Sequence, residues 1–157
     1  MALTDMRDYL AVLEQRGLVR RVSEEVDPAW EIGCMVKWGY QALPEKDRFG
    51  LLFDNVKGTN IGVATGALGA SEEAYAIALG VETGEINAKW EHALLNPVAP
   101  VTIEEAPCHD VVLEGSDIDL GLLPVPTWTP GKDAGPYVTA IVVTRDADTD
   151  VQNYGVY

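Results

Sequence analysis

The chain has 157 residues, 47% of them apolar, and carries 25 acidic against 11 basic side chains, for a formal net charge of −14. That much apolar material builds a core and excludes a disordered chain, while the acidic field repels phosphate backbones and anionic lipid, so nucleic acid and membrane surface are not expected partners. No apolar run approaches the roughly 20 residues of a spanning helix, and the opening MALTDMRDYL lacks the basic start and apolar stretch of a secretory signal, so the cytoplasm is the expected compartment.

The first element is a helix from Thr4 to Arg16. Met6, Tyr9, Leu10 and Leu13 fall on one face, Thr4 is its N-cap, and Gly17 is its stop. LVRRV, residues 18–22, reads as a short strand with its basic side chains outward. Asp27-Pro28 then signals a second helix, N-cap followed by Pro at the first helical position, running through Trp30, Ile32, Met35, Val36 and Trp38. Glu31 sits one residue too late for a capping box, which leaves it only as a favourable acid in the first turn.

GLLFDNV (50–56) and NIGVATG (60–66) read as buried strands around the turn Lys57-Gly58-Thr59. A helix capped by Ser71 and closed by Gly80 follows, and another spans roughly Gly84 to Leu95. Alternating strands and helices over the first hundred residues indicate an α/β unit. After Leu95 the texture changes. VTIEE, DVVLEG, PVPTW and YVTAIVVT are strand-like pieces split by Pro and Gly, which places a boundary near residues 97–107 and a β-rich part beyond it. AIVVTRDADTDVQNYGVY reads as two strands around a polar bend, and a chain that ends inside an apolar strand suggests a sheet whose other strands lie elsewhere.

Few residues suggest chemistry. Cys34 and Cys108 have no ligand-like spacing and read as two reduced thiols in or near the core. His92 and His109 read as ordinary surface or core histidines, and Cys108-His109, being adjacent on a strand, point apart. GVATGALGAS places glycines between a strand and a helix, but Gly62, Gly66 and Gly69 lack the G-x-G-x-x-G spacing of a dinucleotide loop, so a tight turn is preferred. Glu114, Asp117 and Asp119 could bind a cation, though turn hydrogen bonding suits them better. The Trp128–Asp133 loop reads as a connection.

In order, these elements resemble the UbiD-type decarboxylases, which use prenylated FMN. The resemblance rests on RGLVRRVSEEVDPAWEI, GLLFDNVKG, GALGASEEAYAIALG and, most specifically, the run from Pro107 to Tyr157 with DIDL, LP, W, D-x-GPY-x-T, VVTRD and N-x-G-x-Y in sequence. It spans essentially the whole chain but about the first third of a usual member. It implies an α+β fold: an N-terminal α/β domain over residues 1–100, then the first strands of a split β-barrel (flavin-reductase-like) domain over residues 101–157.

The resemblance also implies site residues. Asn153 matches a ligand of Mn²⁺ or Mg²⁺ that bridges the cofactor phosphate; K⁺ is a further ion to expect. Val156 and Tyr157 match residues that help hold the flavin. On a strand Asn153, Gly155 and Tyr157 share one face. The family's arginine follows the position of Tyr157, and its remaining metal ligands and acid donors have no counterpart in these residues. No catalytic residue is therefore expected here, and the chain alone is expected to be inactive. The remainder of the enzyme or a second subunit is the implied partner, in a homo-oligomer. The intact enzyme would reversibly decarboxylate an aromatic, heteroaromatic or α,β-unsaturated acid. The competing expectation is a non-catalytic assembly subunit or interaction module that pairs through exposed barrel strands. A third is a small-molecule binding domain that uses the α/β unit alone.

Overall fold

A computed structural model describes residues 3–156. The first helix, α1 (Met6–Gln15), starts one residue later than expected: Asp5, not Thr4, is the N-cap, because its carboxylate accepts the amides of both Arg7 (2.8 Å) and Asp8 (3.1 Å). The Thr4 hydroxyl is instead occupied with the Asp8 carboxylate. Gly17 (φ +70°) ends α1 as expected. Its N–H donates to the Glu14 carbonyl at 3.0 Å, and that of Leu18 to the Leu13 carbonyl at 2.8 Å, a Schellman closure that turns the chain directly into β1 (Val19–Val22).

Asp27-Pro28 opens a turn rather than the helix itself. The second helix, α2, runs Glu31–Ala42, with Trp30 in the cap position. Asp27 Oδ1 accepts the Ala29 amide at 2.8 Å while Glu31 Oε2 reaches back to the Asp27 amide at 2.6 Å. Glu31 thus ties the turn to the helix from one side only, and no reciprocal capping box forms, as its spacing predicts. Strand β2 (Gly50–Phe53) then lies parallel to β1, Val19 opposite Gly50 and Val22 opposite Phe53, and β3 (Val63–Thr65) returns antiparallel to β2. β1–α2–β2 is thus a βαβ unit extended by one antiparallel strand, and β2 is the centre of the sheet.

Side-chain alternation along β2 sorts the core into two layers. Leu52 packs with Tyr9, Leu13, Val19 and Ala74 against α1 and α3 (Glu72–Leu79); Phe53 packs with Val26, Ile32 and Val56 under α2. Leu13, Ile32 and Phe53 are almost wholly buried, and each contributes about 1.5–3 kcal/mol by leaving water. Ser71 caps α3 and Gly80 (φ +67°) closes it, as expected. The last helix, α4 (Ile86–Leu95), follows a single turn at Thr83–Glu85 and buries none of its residues.

Beyond α4 the expected strands around residues 101–105, 111–114 and 124–128 are absent. Those segments are irregular chain, and between them lie short turns at Pro107–His109, Gly115–Asp117 and Leu120–Leu122. A strand exists only through its ladder, and among the described residues nothing pairs with these segments. The hairpin does form, as β4 (Ile141–Arg145) and β5 (Gln152–Val156). Helices and a mixed sheet in one part and a hairpin in the other make the fold α+β.

Candidate functional site

The hairpin is built by local chemistry. Ile141, Val142, Val143 and Thr144 are β-branched and favour an extended backbone. The bend is organised by Asp146, whose Oδ1 accepts the amides of Thr149 (2.7 Å) and Asp148 (3.0 Å) and the Thr149 hydroxyl (2.8 Å). These bonds, the Thr149 amide first, hold the Asp146 carboxyl below the usual aspartate range. Asp150 takes a left-handed backbone (φ +58°) and its carboxylate meets Arg145 at 3.2 Å.

This turn sets the register of the site. Asn153 stands opposite Thr144, Gly155 opposite Val142, and Val156 opposite Ile141. By alternation Asn153 and Gly155 share one face of the hairpin. Val156 lies on the other face, with Tyr154, so the strand does not bring its side chain to that of Asn153. Tyr157 lies outside the described residues. The hairpin is exposed on both faces: Tyr154 retains 61% of its surface on one and Val142, opposite Gly155, 43% on the other.

Asn153 offers a neutral amide oxygen of the kind hard divalent ions accept. Among the described residues no group of three or more His, Cys, Asp or Glu side chains gathers at any point. An ion of the Mg²⁺ type takes about six oxygen ligands, so the residues present here do not complete a metal site.

The other candidates resolve toward structural roles. Gly66 (φ +64°) turns the chain after β3, but β3 is antiparallel, so the parallel strand–loop–helix unit of a dinucleotide site is not formed. Asp119 accepts the Gly121 amide at 2.8 Å within a turn. The His92 carbonyl accepts the Asn96 side chain at 2.9 Å at the end of α4. Cys108 and His109 lie in a turn, not on a strand, and both cysteines are exposed rather than in or near the core. Cys34 falls on the outer face of α2, one turn from the exposed Trp30 and Trp38.

Two features escaped sequence reasoning. An apolar cleft of about 100 Å³ opens between α2 and the sheet, lined by Met35, Trp38, Tyr40, Phe49 and Leu51 with Thr65 and Gly66. The buried Thr65 hydroxyl has no hydrogen-bond partner. Arg21 is clamped between Glu14 (3.0 Å) and Asp54 (2.6 Å), which ties α1, β1 and the end of β2 together and raises its already high pKa. Neither depends on a motif; both arise from pairing distant residues.

Comparison with known proteins bears on the whole chain. A family model for the 3-octaprenyl-4-hydroxybenzoate carboxy-lyase N-terminal domain matches residues 10–94, and one for the Rift-related domain of the same carboxy-lyase matches residues 100–157. Among solved structures, the UbiD-class enzyme HmfF from Pelotomaculum thermopropionicum in complex with FMN is 35% identical over 96% of this chain, with a TM-score of 0.82. An evolved dimeric form of HmfF in complex with prFMN gives a TM-score of 0.83 at the same identity. Vanillic acid decarboxylase from Sedimentibacter hydroxybenzoicus, in open form, is 30% identical over 100% of the chain, with a TM-score of 0.81. The 3,4-dihydroxybenzoic acid decarboxylase from Enterobacter cloacae is 28% identical over 99%, with a TM-score of 0.83. The chain spans about a third of each of these proteins: 33% of HmfF with FMN and 34% of the other three.

Proposed function

The chain belongs to the UbiD family of carboxy-lyases, and from that membership we propose that it forms the N-terminal part of a reversible, non-oxidative decarboxylase that uses prenylated FMN. The observation that carries the reading is the unbroken succession of two family domains over residues 10–94 and 100–157, with Asn153 on a formed hairpin strand. The same succession supports a division at about residue 100 between an α/β domain and the start of a split β-barrel. The substrate class is a small aromatic, heteroaromatic or α,β-unsaturated carboxylic acid, and the compartment is the cytoplasm. Among the described residues no helix is long and apolar enough to cross a membrane.

In this reading Asn153 would supply one ligand to Mn²⁺ or Mg²⁺, with K⁺ as a further ion, and Val156 and Tyr157 would border the flavin. Because Val156 points away from Asn153's face, its contact would run through its backbone. Prenylated FMN supplies the electron sink that decarboxylation needs. A positioned acid must then protonate the carbon, and no residue described here is assigned that role. The other ligands and the acids come from the remainder of the enzyme or a second subunit, in a homo-oligomer.

The test is CO₂ release from a panel of such acids, with prenylated FMN and Mn²⁺ supplied. The 157-residue chain alone should release none, and the chain combined with the remaining two thirds of the enzyme should be active. Release by the chain alone would refute this division of labour.

The exposure of Ile141, Val143, Tyr154 and Val156 favours a second reading, a non-catalytic subunit that pairs through its hairpin. Stable association with the partner segment without any CO₂ release would select it.

A further inference from the structure

The two parts of the chain meet along a short strap, next to the point where the Thr59 hydroxyl donates to the Leu122 carbonyl at 3.3 Å. Pro126 is buried and residues 124, 125 and 127–129 are half-buried, whereas the chain on either side is largely exposed. The Thr127 amide donates to the Pro28 carbonyl at 3.0 Å, just before α2. Within the first turn of α2 stands Gly33, buried and without a side chain. A Cβ at that position would lie 2.8 Å from the carbonyl oxygen of Thr127, 2.8 Å from that of Trp128 and 3.2 Å from the Trp128 carbonyl carbon. All three are backbone atoms, which cannot swing aside as the end of a flexible side chain can.

The strap continues toward the hairpin. The Trp128 indole donates to the Tyr137 carbonyl at 3.0 Å, shortly before β4. Between them the loop closes on itself: Asp133 Oδ2 accepts the Thr129 amide at 2.6 Å, and the Lys132 and Asp133 amides donate to the Thr129 carbonyl at 3.0 Å. Helix propensity alone argues against glycine at this point, since alanine is the better helix former. Gly39, on the same helix, has nothing within 4 Å of the place a Cβ would occupy and shows what a glycine without this constraint looks like.

We infer that Gly33 is a positioning residue: its missing side chain seats the 124–129 strap on α2, and that seat, relayed through the Trp128 indole to Tyr137, fastens the β-rich part to the three-stranded sheet. The inference goes beyond the decarboxylase reading and holds whether or not Asn153 binds a metal.

Hydrogen exchange read by mass spectrometry, with limited proteolysis, tests it on the 157-residue chain at low concentration. Gly33→Ala should speed exchange in the strap around Thr127 by roughly tenfold or more, the ratio to which a modest overpacking penalty converts. It should also hasten cleavage within residues 96–123. The amides that tie the sheet, Gly50 to Leu18 and Asp54 to Val22, should keep their protection. Gly39→Ala should leave the strap unchanged. Trp128→Phe should speed exchange around Tyr137 while Thr127 stays protected. Unchanged strap exchange in Gly33→Ala, an equal effect from Gly39→Ala, or loss of the sheet amides along with the strap would each overturn the inference, the last because Gly33 would then be only a core-packing residue.

Discussion

The Tyr9 hydroxyl lies 2.9 Å from the Ala74 carbonyl and 3.1 Å from that of Ala67, so one phenol on α1 pins the first turn of α3 and the loop before it. Its ring is buried among Leu13, Val19 and Leu52. Tyr9→Phe keeps the packing and leaves the buried Ala74 carbonyl without this donor. The helix ladder of α3 still serves that carbonyl, so urea unfolding should show a loss of roughly 0.5–1.5 kcal/mol, the net worth of one hydrogen bond. Burial raises the Tyr9 pKa, so its contribution is full below the ordinary value of 10.0 and is lost as pH climbs through the raised one. The parent should therefore weaken at high alkaline pH more steeply than Tyr9→Phe.

Phe53 is 1% exposed and fills the layer beneath α2 with Val26, Ile32 and Val56. Phe53→Ala should cost about 3–5 kcal/mol in the same assay, through lost burial and the cavity left behind. A cost below about 1 kcal/mol would mean that this layer collapses without it.

With Asp5, Glu14 and Asp146, Asp27 is one of the carboxyls that shape the acid limb. The Ala29 amide, then the Lys57 ammonium at 3.0 Å, lower its pKa from the ordinary 3.8. A depressed folded pKa gives stability that is present above the unfolded value and lost as pH falls through the folded one. The thermal midpoint should therefore fall below roughly pH 4, and Lys57→Met, which removes the second cause, should show a smaller fall over the same range. An identical acid profile for the two proteins would exclude this pair as a contributor.

The hairpin presents Ile141, Val143, Tyr154 and Val156 to solvent beside a strand edge that is unpaired among the described residues. Such edges recruit further strands. Sedimentation of the chain should show concentration-dependent association, relieved by lysine at Val143 and Val156. A monomer at high concentration would count against an edge that seeks a partner.

What could be read in advance was whatever depends on neighbours in sequence. Gly17, Ser71 and Gly80 act where expected, because caps and stops are settled within a few residues. The α1 cap moved to Asp5 because a carboxylate can take two amides at once. The strands expected between residues 101 and 128 failed for a non-local reason, since a β-prone segment without a ladder partner remains irregular. Likewise, nothing adjacent to Gly33 announces that two carbonyls from residues 127 and 128 press against it. At the site, strand parity was enough to put Asn153 and Gly155 on one face. The same parity sends Val156 to the other, which the family likeness alone did not reveal.

In the proposed enzyme Asn153 would serve a metal at the cofactor. The most direct test of this is the metal content and flavin absorbance of the intact enzyme purified with Asn153→Ala, measured beside the parent at equal thermal stability. A clear loss of both bound divalent metal and prenylated FMN is expected. Metal and flavin retained at parental levels would contradict it.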